Sequence, residues 1–220
     1  MLCFWAAKGG AGCSVTAAAV ALLGAAGADV LLVDLTGEQP DLLGLGSVDD
    51  PDLGDWLTHT GAPPPDALAR LERPVTAGLR LLTTGADGVP CSEVGRPRLE
   101  LLARLLADDH RLVVVDLGRW QDRWYPLHQA ARKRILVTRA CYLALRRASA
   151  GPVPTGAVLV QEPGRALGRG DVSEVIGAPV LAVVPVDPVV ARVVDAGLLA
   201  SRLPRPLRRL EVLVPSGVSS

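Results

Sequence analysis

Lysine is almost absent from this chain of 220 residues: of its 23 basic residues only Lys8 and Lys133 are lysines. Arginine supplies all the others, and 23 acidic residues balance them to a formal net charge of zero. A balanced charge gives the chain no general attraction for a phosphate backbone, so nucleic-acid binding is not indicated. The scarcity also makes the position of each lysine informative, because few lysines can fall in a meaningful place by chance.

Three other features are missing, and each excludes a class of protein. The four cysteines (positions 3, 13, 91 and 141) form no Cys-x-x-Cys pair, which argues against a zinc site and a secreted disulfide framework. No basic segment precedes the first apolar run, so a signal peptide is not expected. No apolar run reaches the roughly 18 residues of a membrane span. A basic stretch near the end is interrupted by Pro204 and Pro206, which disfavour a continuous membrane-surface helix. A reducing cytoplasm is the expected location, and membrane binding is not expected.

Apolar residues make up 49% of the chain and occur in short runs that alternate with helical patterns. Continuous valine and leucine runs are typical of strands buried on both faces of a parallel sheet. We therefore predict an α/β fold with three layers, in which helices cover both faces of a mostly parallel sheet. Residues 1–210 are expected to form a single domain and residues 211–220 a disordered tail. The predicted strands begin near residues 2, 29, 79, 111, 134, 156 and 180.

The stretch from Leu2 to Thr16, LCFWAAKGGAGCSVT, contains the first chemical signal. An apolar strand is followed by glycines and then by a long Ala- and Leu-rich helix. Such a turn lets backbone N–H groups converge on a phosphate at the positive end of the helix dipole. The usual phosphate loop ends in Gly-Lys-Ser/Thr, but here Gly12 is followed by Cys13. A tight strand–helix turn that binds no ligand is the alternative interpretation of this motif.

The loop and the strand after it, VLLVDL, resemble those of the ParA/MinD family of deviant P-loop ATPases. That family has a signature lysine at the front of its loop, and Lys8 occupies this position. The run LVVVDLG, which contains Asp116, is similar to the Walker B strand of the family. The run VLAVVPVDPVVARVVDAG is similar to its late strand, proline-containing loop and helix. The resemblance covers most of residues 2–210 and is weakest over residues 46–78.

The resemblance implies roles for individual residues. Lys8 would reach across a dimer interface to the phosphates of a partner, so a homodimer through the nucleotide face is expected. Ser14 would bind Mg²⁺ through its hydroxyl, with Asp116 behind a metal-bound water. Asp34 holds the position of the first Asp of an Asp-x-Asp pair and is the candidate for a catalytic carboxylate. The residues expected to contact ATP are Lys8, Gly9, Gly10, Ala11, Gly12, Cys13, Ser14, Val15, Pro185 and Asp187.

Three departures from the family pattern fall where the family carries out its chemistry. Cys13 replaces the lysine that grips the β- and γ-phosphates, and a neutral thiol cannot supply the missing charge. Thr36 replaces the second Asp of the Asp-x-Asp pair, which positions the attacking water. Arg119 follows the Walker B aspartate where the family usually has a proline, and it is a candidate cation for a phosphate.

These departures favour a positioning or assembly factor with weak or no ATP hydrolysis, a degenerate member of the family that is similar to the CpaE/TadZ-type pilus-positioning proteins. Two alternatives stay open. One is a slow but active ATPase in chromosome or plasmid partitioning or septum placement. The other is an interaction module that binds no nucleotide. Trp120 and Trp124 are expected either in the core or on a surface for a protein partner.

Overall fold

The computed structural model describes residues 1–46, 51–64, 66–85, 88 and 94–215. Strands and helices alternate along most of this range. The strands are β1 (Leu2–Ala6), β2 (Val30–Asp34), β3 (Arg73–Thr76), β4 (Leu79–Thr83), β5 (Leu112–Arg119), β6 (Lys133–Arg139), β7 (Gly156–Gln161) and β8 (Val180–Pro185).

The α-helices are α1 (Cys13–Gly24), α2 (Gln39–Leu43), α3 (Leu53–Thr58), α4 (Ala67–Leu71), α5 (Arg96–Ala107), α6 (Tyr125–Ala130), α7 (Tyr142–Ser149), α8 (Arg169–Ile176) and α9 (Pro188–Asp195). Two 3-10 helices, Asp122–Trp124 and Arg205–Leu213, complete the described elements.

A single sheet of eight strands has the order β3-β4-β2-β5-β1-β6-β7-β8. Every neighbouring pair is parallel except β3 and β4, which form an antiparallel hairpin at one edge. β1 and β5 lie in the middle of the sheet, side by side. Because parallel strands point the same way, the ends of β1, β2, β5 and β6 meet at one edge, where ligands usually bind in such sheets.

Helices cover both faces of the sheet because successive strand residues point to opposite sides. Trp5 faces a core that α5, α6, α7 and α8 complete. Phe4 faces a second core formed with α1, α9 and the final 3-10 helix. Both aromatic side chains are fully buried. The predicted fold class, with three layers and a mostly parallel sheet, is thus confirmed.

The structure differs from the sequence-based prediction in three places. β3 was not predicted: it is a four-residue strand whose alternating half-exposed pattern gives no continuous apolar run. Helices α2, α6 and α8 are also additional, and each has only five to eight residues. The final 3-10 helix extends to Leu213, which is buried, so the ordered chain passes the predicted boundary at residue 210. Residues 216–220 of the predicted tail lie outside the described residues.

Trp124 is buried among core residues, and Trp120 packs at the edge of the same cluster. The core interpretation of these two tryptophans is therefore the one the structure supports. Within the described ranges, no helix is both long enough and apolar enough to cross a membrane.

Candidate functional site

The glycine-rich loop lies between the end of β1 at Ala6 and the start of α1 at Cys13. Its last residue, Gly12, has a φ of 90°, a left-handed conformation that favours glycine. The Gly12 carbonyl accepts hydrogen bonds from the backbone N–H of Thr16 (3.0 Å) and from the Thr16 hydroxyl (2.7 Å). This geometry begins the helix directly at the loop, so that the N–H groups of its first turn stay available to a ligand.

An open cavity of about 530 Å³ lies over this loop. Its volume falls within the range of small-molecule and cofactor sites. The structure brings together all eight loop residues that the sequence predicts to contact nucleotide. The cavity is lined by Ala6, Lys8, Gly9, Gly10, Ala11, Gly12, Cys13, Ser14, Val15, Leu35, Thr36, Glu38, Gly88, Leu117, Gly118, Arg119, Gln121, Arg123 and Arg139.

Pro185 and Asp187, the two remaining predicted contacts, do not line this cavity. Pro185 ends β8, next to β7 at the side of the sheet. Asp187 caps α9, because its carboxylate accepts a hydrogen bond from the Val189 N–H at 2.7 Å. The structure therefore gives Asp187 a helix-capping role, and its part in binding a base stays a prediction.

The cavity wall is strongly basic. Lys8, Arg119, Arg123 and Arg139 line it, whereas Glu38 is the one acidic residue among the described lining residues. Such a wall attracts anions, and the loop adds backbone N–H groups. Lys8 and Arg119 are predicted from the sequence, whereas Arg123 and Arg139 are not. The signal for Arg139 was its position, since it ends β6 at the same sheet edge.

Cys13 is buried at the start of α1, beside Asp116. Burial and the neighbouring Asp116 carboxylate raise the pKa of the Cys13 thiol well above its ordinary value. The side chain at the position of the family's loop lysine is therefore a neutral thiol at physiological pH. After Lys8, the loop contains no positively charged side chain.

Asp116 lies beside Cys13 and Ser14, is fully buried and does not itself line the cavity. Its carboxylate accepts hydrogen bonds from the Gly118 N–H at 2.9 Å and from the Gln39 side-chain N–H at 2.9 Å, and the Ser14 side chain is close enough to favour its ionised form. Burial and the nearby Asp34 raise the pKa of Asp116 to about 6. The carboxylate is thus held in contact with the residue that the resemblance assigns to Mg²⁺.

The Gln39 side chain links Asp116 to the first turn of α1. It was not identified from the sequence. Its side-chain amide donates to Asp116 and to the Ser14 carbonyl, the latter at 3.0 Å. Its own amide oxygen is buried and has no hydrogen-bond partner. The oxygens of Ser14, Asp116 and Gln39 are hard ligands of the kind that Mg²⁺ prefers. They fit an ion that takes its remaining ligands from phosphates and water. Among the described residues there is no cluster of three or more His, Cys, Asp or Glu side chains that could hold a metal ion alone.

Asp34 is also fully buried but does not line the cavity. One of its oxygens accepts from the backbone N–H and the hydroxyl of Thr36 and from the Gly37 N–H. The other accepts from the Gln39 N–H and the Thr83 hydroxyl. Both oxygens are therefore committed to the turn after β2 and to β4. The residues of this turn that line the cavity are Leu35, Thr36 and Glu38.

No protein-family model matches this chain, and no curated protein matches it. Solved structures do resemble it over almost their whole length. A ParA family ATPase from Chlorobium tepidum TLS has a TM-score of 0.75 and 19% identity, with 96% of this chain and 95% of that chain covered. The septum site-determining protein MinD from Pyrococcus horikoshii OT3, solved with Mg-ADP, has a TM-score of 0.73, 21% identity and coverages of 97% and 93%.

A putative plasmid partition protein from Borrelia burgdorferi B31, solved with AMPPNP, has a TM-score of 0.68, 14% identity and coverage of 96% of each chain. These identities are low, but the agreement extends over nearly all of each chain. It includes the sheet whose carboxyl edge holds the loop and the cavity. This chain therefore has the fold of the ParA and MinD ATPases.

Proposed function

We propose that this protein is a ParA/MinD-like nucleotide-binding protein that acts as a positioning or assembly factor, with weak or no ATP hydrolysis. The observation that carries the proposal is the basic cavity over the loop, which all eight residues from Lys8 to Val15 line. The solved relatives with bound Mg-ADP and AMPPNP support ATP as the ligand. The pilus-positioning branch remains the preferred comparison within the family.

The reduced hydrolysis follows from the chemistry around Cys13 and Thr36. A neutral thiol offers no charge to the phosphoryl group as negative charge develops in the transition state. Losing one such contact typically costs ~3–4 kcal/mol, or about 10²- to 10³-fold in rate. Thr36 has no carboxylate, and its hydroxyl already donates to Asp34 at 2.7 Å. It is therefore poorly suited to activate water.

Mg²⁺ and a second copy of the chain belong to the same proposal. Ser14 and Asp116 would hold the ion, which supplies positive charge between the phosphates when bound. Lys8 lines the mouth of the cavity, from which it would reach the phosphates of a facing protomer. A solved MinD from Aquifex aeolicus in complex with MinC supports a protein partner as well.

The direct test is isothermal titration of the full chain with ATP and ADP, with and without Mg²⁺. Lys8→Ala should weaken ATP binding, whereas Lys133→Ala should not, and Lys133 is a matched control because it is the only other lysine and begins β6 at the opposite sheet edge. Binding without turnover is the expected result. Turnover as fast as that of ordinary partitioning ATPases, abolished by Lys8→Ala, would refute reduced hydrolysis. No binding at all would leave a nucleotide-free interaction module.

Restoring the loop lysine gives a complementary test. If the neutral thiol limits hydrolysis, Cys13→Lys should raise the rate of phosphate release from a barely measurable level, whereas Cys13→Ser should not. Equal rates in both variants would show that the missing charge at residue 13 is not the limiting defect.

A further inference from the structure

The end of β5 has an unusual course beside the loop. β5 continues three residues past Asp116 and ends at Arg119. Its pairing with β1 shifts on the way: Phe4 pairs with Asp116, but Ala6 pairs with Arg119. β5 thus contains one residue more than β1 between the two pairs. Such a bulge changes the direction in which the following side chain points, and bulges are common beside functional sites.

Gly118 makes this bulge. Its φ of 59° lies in the left-handed region, and a Cβ at this position would collide with the methyl group of Thr36. A residue with a side chain is therefore disfavoured for two independent reasons. The glycine lets the backbone turn so that Arg119, the next residue, lines the cavity.

The backbone after Arg119 is firmly held. The Trp120 N–H donates to the Ala6 carbonyl at 2.8 Å, which ties this segment to the start of the loop. The Trp120 ring packs against Trp5 and His128, with ring centroids 5.5 Å and 5.1 Å apart. The Arg119 side chain consequently extends from an anchored backbone, so that binding has to order the side chain but not the backbone.

The four basic side chains that line the cavity differ in the contacts that they already make within the protein. Arg139 pairs with Glu162 at 2.6 Å, and the Arg123 guanidinium lies over the Trp124 ring at 4.2 Å. Arg119 is exposed and, like Lys8, has no hydrogen bond or ion pair from its side chain within the described part of the chain. A cation without a protein partner can bind an anion without first breaking an existing contact.

We propose that Arg119 supplies to the bound polyphosphate the positive charge that Cys13 cannot supply from within the loop. The inference rests on the proposed nucleotide binding and identifies a phosphate-binding residue of that same site. An arginine suits this role because its planar guanidinium can donate two hydrogen bonds to one phosphate. The charge comes from the bulged end of β5 instead of from the first turn of α1.

The test is calorimetric titration of the full chain with ATP and with pyrophosphate, which lacks the base and sugar. Arg119→Gln should weaken the binding of both about tenfold or more, since hydrogen bonds to charged groups are among the stronger ones. Arg119→Lys should recover part of the loss. Arg104→Gln is the matched control: Arg104 is an exposed arginine near the end of α5, outside the cavity.

The results distinguish the role of Arg119 from the proposed nucleotide binding on which it rests. If the wild type binds ATP and Lys8→Ala weakens it, but Arg119→Gln binds like the wild type, the inference is overturned and the proposed function survives. An equal loss in Arg104→Gln also overturns it, because the effect would then be one of net charge. A wild type that binds neither ligand overturns both. Circular dichroism melting curves should be unchanged for Arg119→Gln, because the side chain is exposed.

Discussion

Two buried carboxylates, Asp34 and Asp116, lie side by side on neighbouring strands and have different surroundings. They are direct partners in the β2–β5 register, and both are fully buried. Asp34 accepts five hydrogen bonds, all from its own turn and from β4. Asp116 accepts from Gln39 and Gly118, and Gly118 lines the cavity, as does the neighbouring Ser14.

Asp34 and Asp116 therefore have different roles, although they are paired in register and equally buried. Asp34 has no oxygen left for a ligand, so it serves as the centre of a structural network that shapes the turn. Asp116 contacts the first turn of α1, where the ligand is proposed to bind. Burial raises the pKa of both carboxyl groups, and the nearby Asp34 raises that of Asp116 further.

The largest expected effect comes from Asp34→Asn. An amide keeps the size of the side chain but places an NH₂ group where the Gln39 N–H and Thr83 hydroxyl now donate. We expect a loss of about 3–4 kcal/mol in the free energy of unfolding, because a buried network loses acceptors. Urea denaturation measures it. Asp116→Asn is the paired control and should cost about 1 kcal/mol or less, because two hydrogen bonds reach its carboxylate instead of five. Equal losses in the two variants would show that the two carboxylates contribute equally to stability.

The next largest effect is a pH dependence of the free energy of unfolding. It comes from His128, which packs against Trp120 just after β5. Burial, and to a lesser degree Arg134, lowers the pKa of His128 to about 4. The folded state therefore resists protonation that the unfolded chain accepts near pH 6.5. The contribution of His128 to the free energy of unfolding is fully present above pH 6.5 and should fall by roughly 3 kcal/mol as the pH drops to 4. Asp116, whose pKa is raised, acts in the opposite direction over this interval, so the His128 contribution is the difference between the wild type and a His128 variant.

Melting curves of the wild type and of His128→Gln between pH 7.5 and pH 4 test this prediction. The variant should lose most of that part of the pH dependence. His110→Gln is the control, because the side chain of His110 is 90% exposed and contributes no buried imidazole. Equal pH dependence in the wild type and in His128→Gln would contradict the assignment.

A third prediction concerns Gly118, which links the two carboxylate networks. Gly118→Ala forces a left-handed backbone on an alanine and brings its methyl group against Thr36. We expect a loss of about 2 kcal/mol. Thr36→Ser removes the colliding methyl group but keeps the hydroxyl that donates to Asp34. The double variant should therefore recover part of the loss, and additive losses would show that the methyl contact is unimportant.

The smallest expected effect separates two neighbouring glycines of the loop. Gly10 has a φ of 72°, whereas Gly9 lies outside the left-handed region, and a Cβ at either position meets no atom within 4 Å. Gly10→Ala should cost about 1–2 kcal/mol of stability from backbone strain alone. Gly9→Ala should change stability by less than about 0.5 kcal/mol. Thermal unfolding of the two variants, which are identical in composition, makes the comparison.

Much of the architecture could be predicted because its signals are local. Continuous apolar runs marked the seven parallel strands, and the glycines after β1 marked the loop. The edge strand β3 was missed because its half-exposed alternation resembles a polar loop. Gln39 was missed because an uncharged side chain five residues after Asp34 belongs to no motif, and its partner Asp116 lies 77 residues away.

The order of elements, the position of the loop and the absence of its lysine follow from the sequence alone, since each depends on residues adjacent in the chain. Only the tertiary structure decided which charges surround the cavity and in which form Cys13 exists. Arg119 and Arg139 reach the loop from β5 and β6 because parallel strands end at one edge. The thiol stays neutral because folding removes it from water and places it beside Asp116. Burial and through-space charge depend on distant segments, and these meet only in the folded chain.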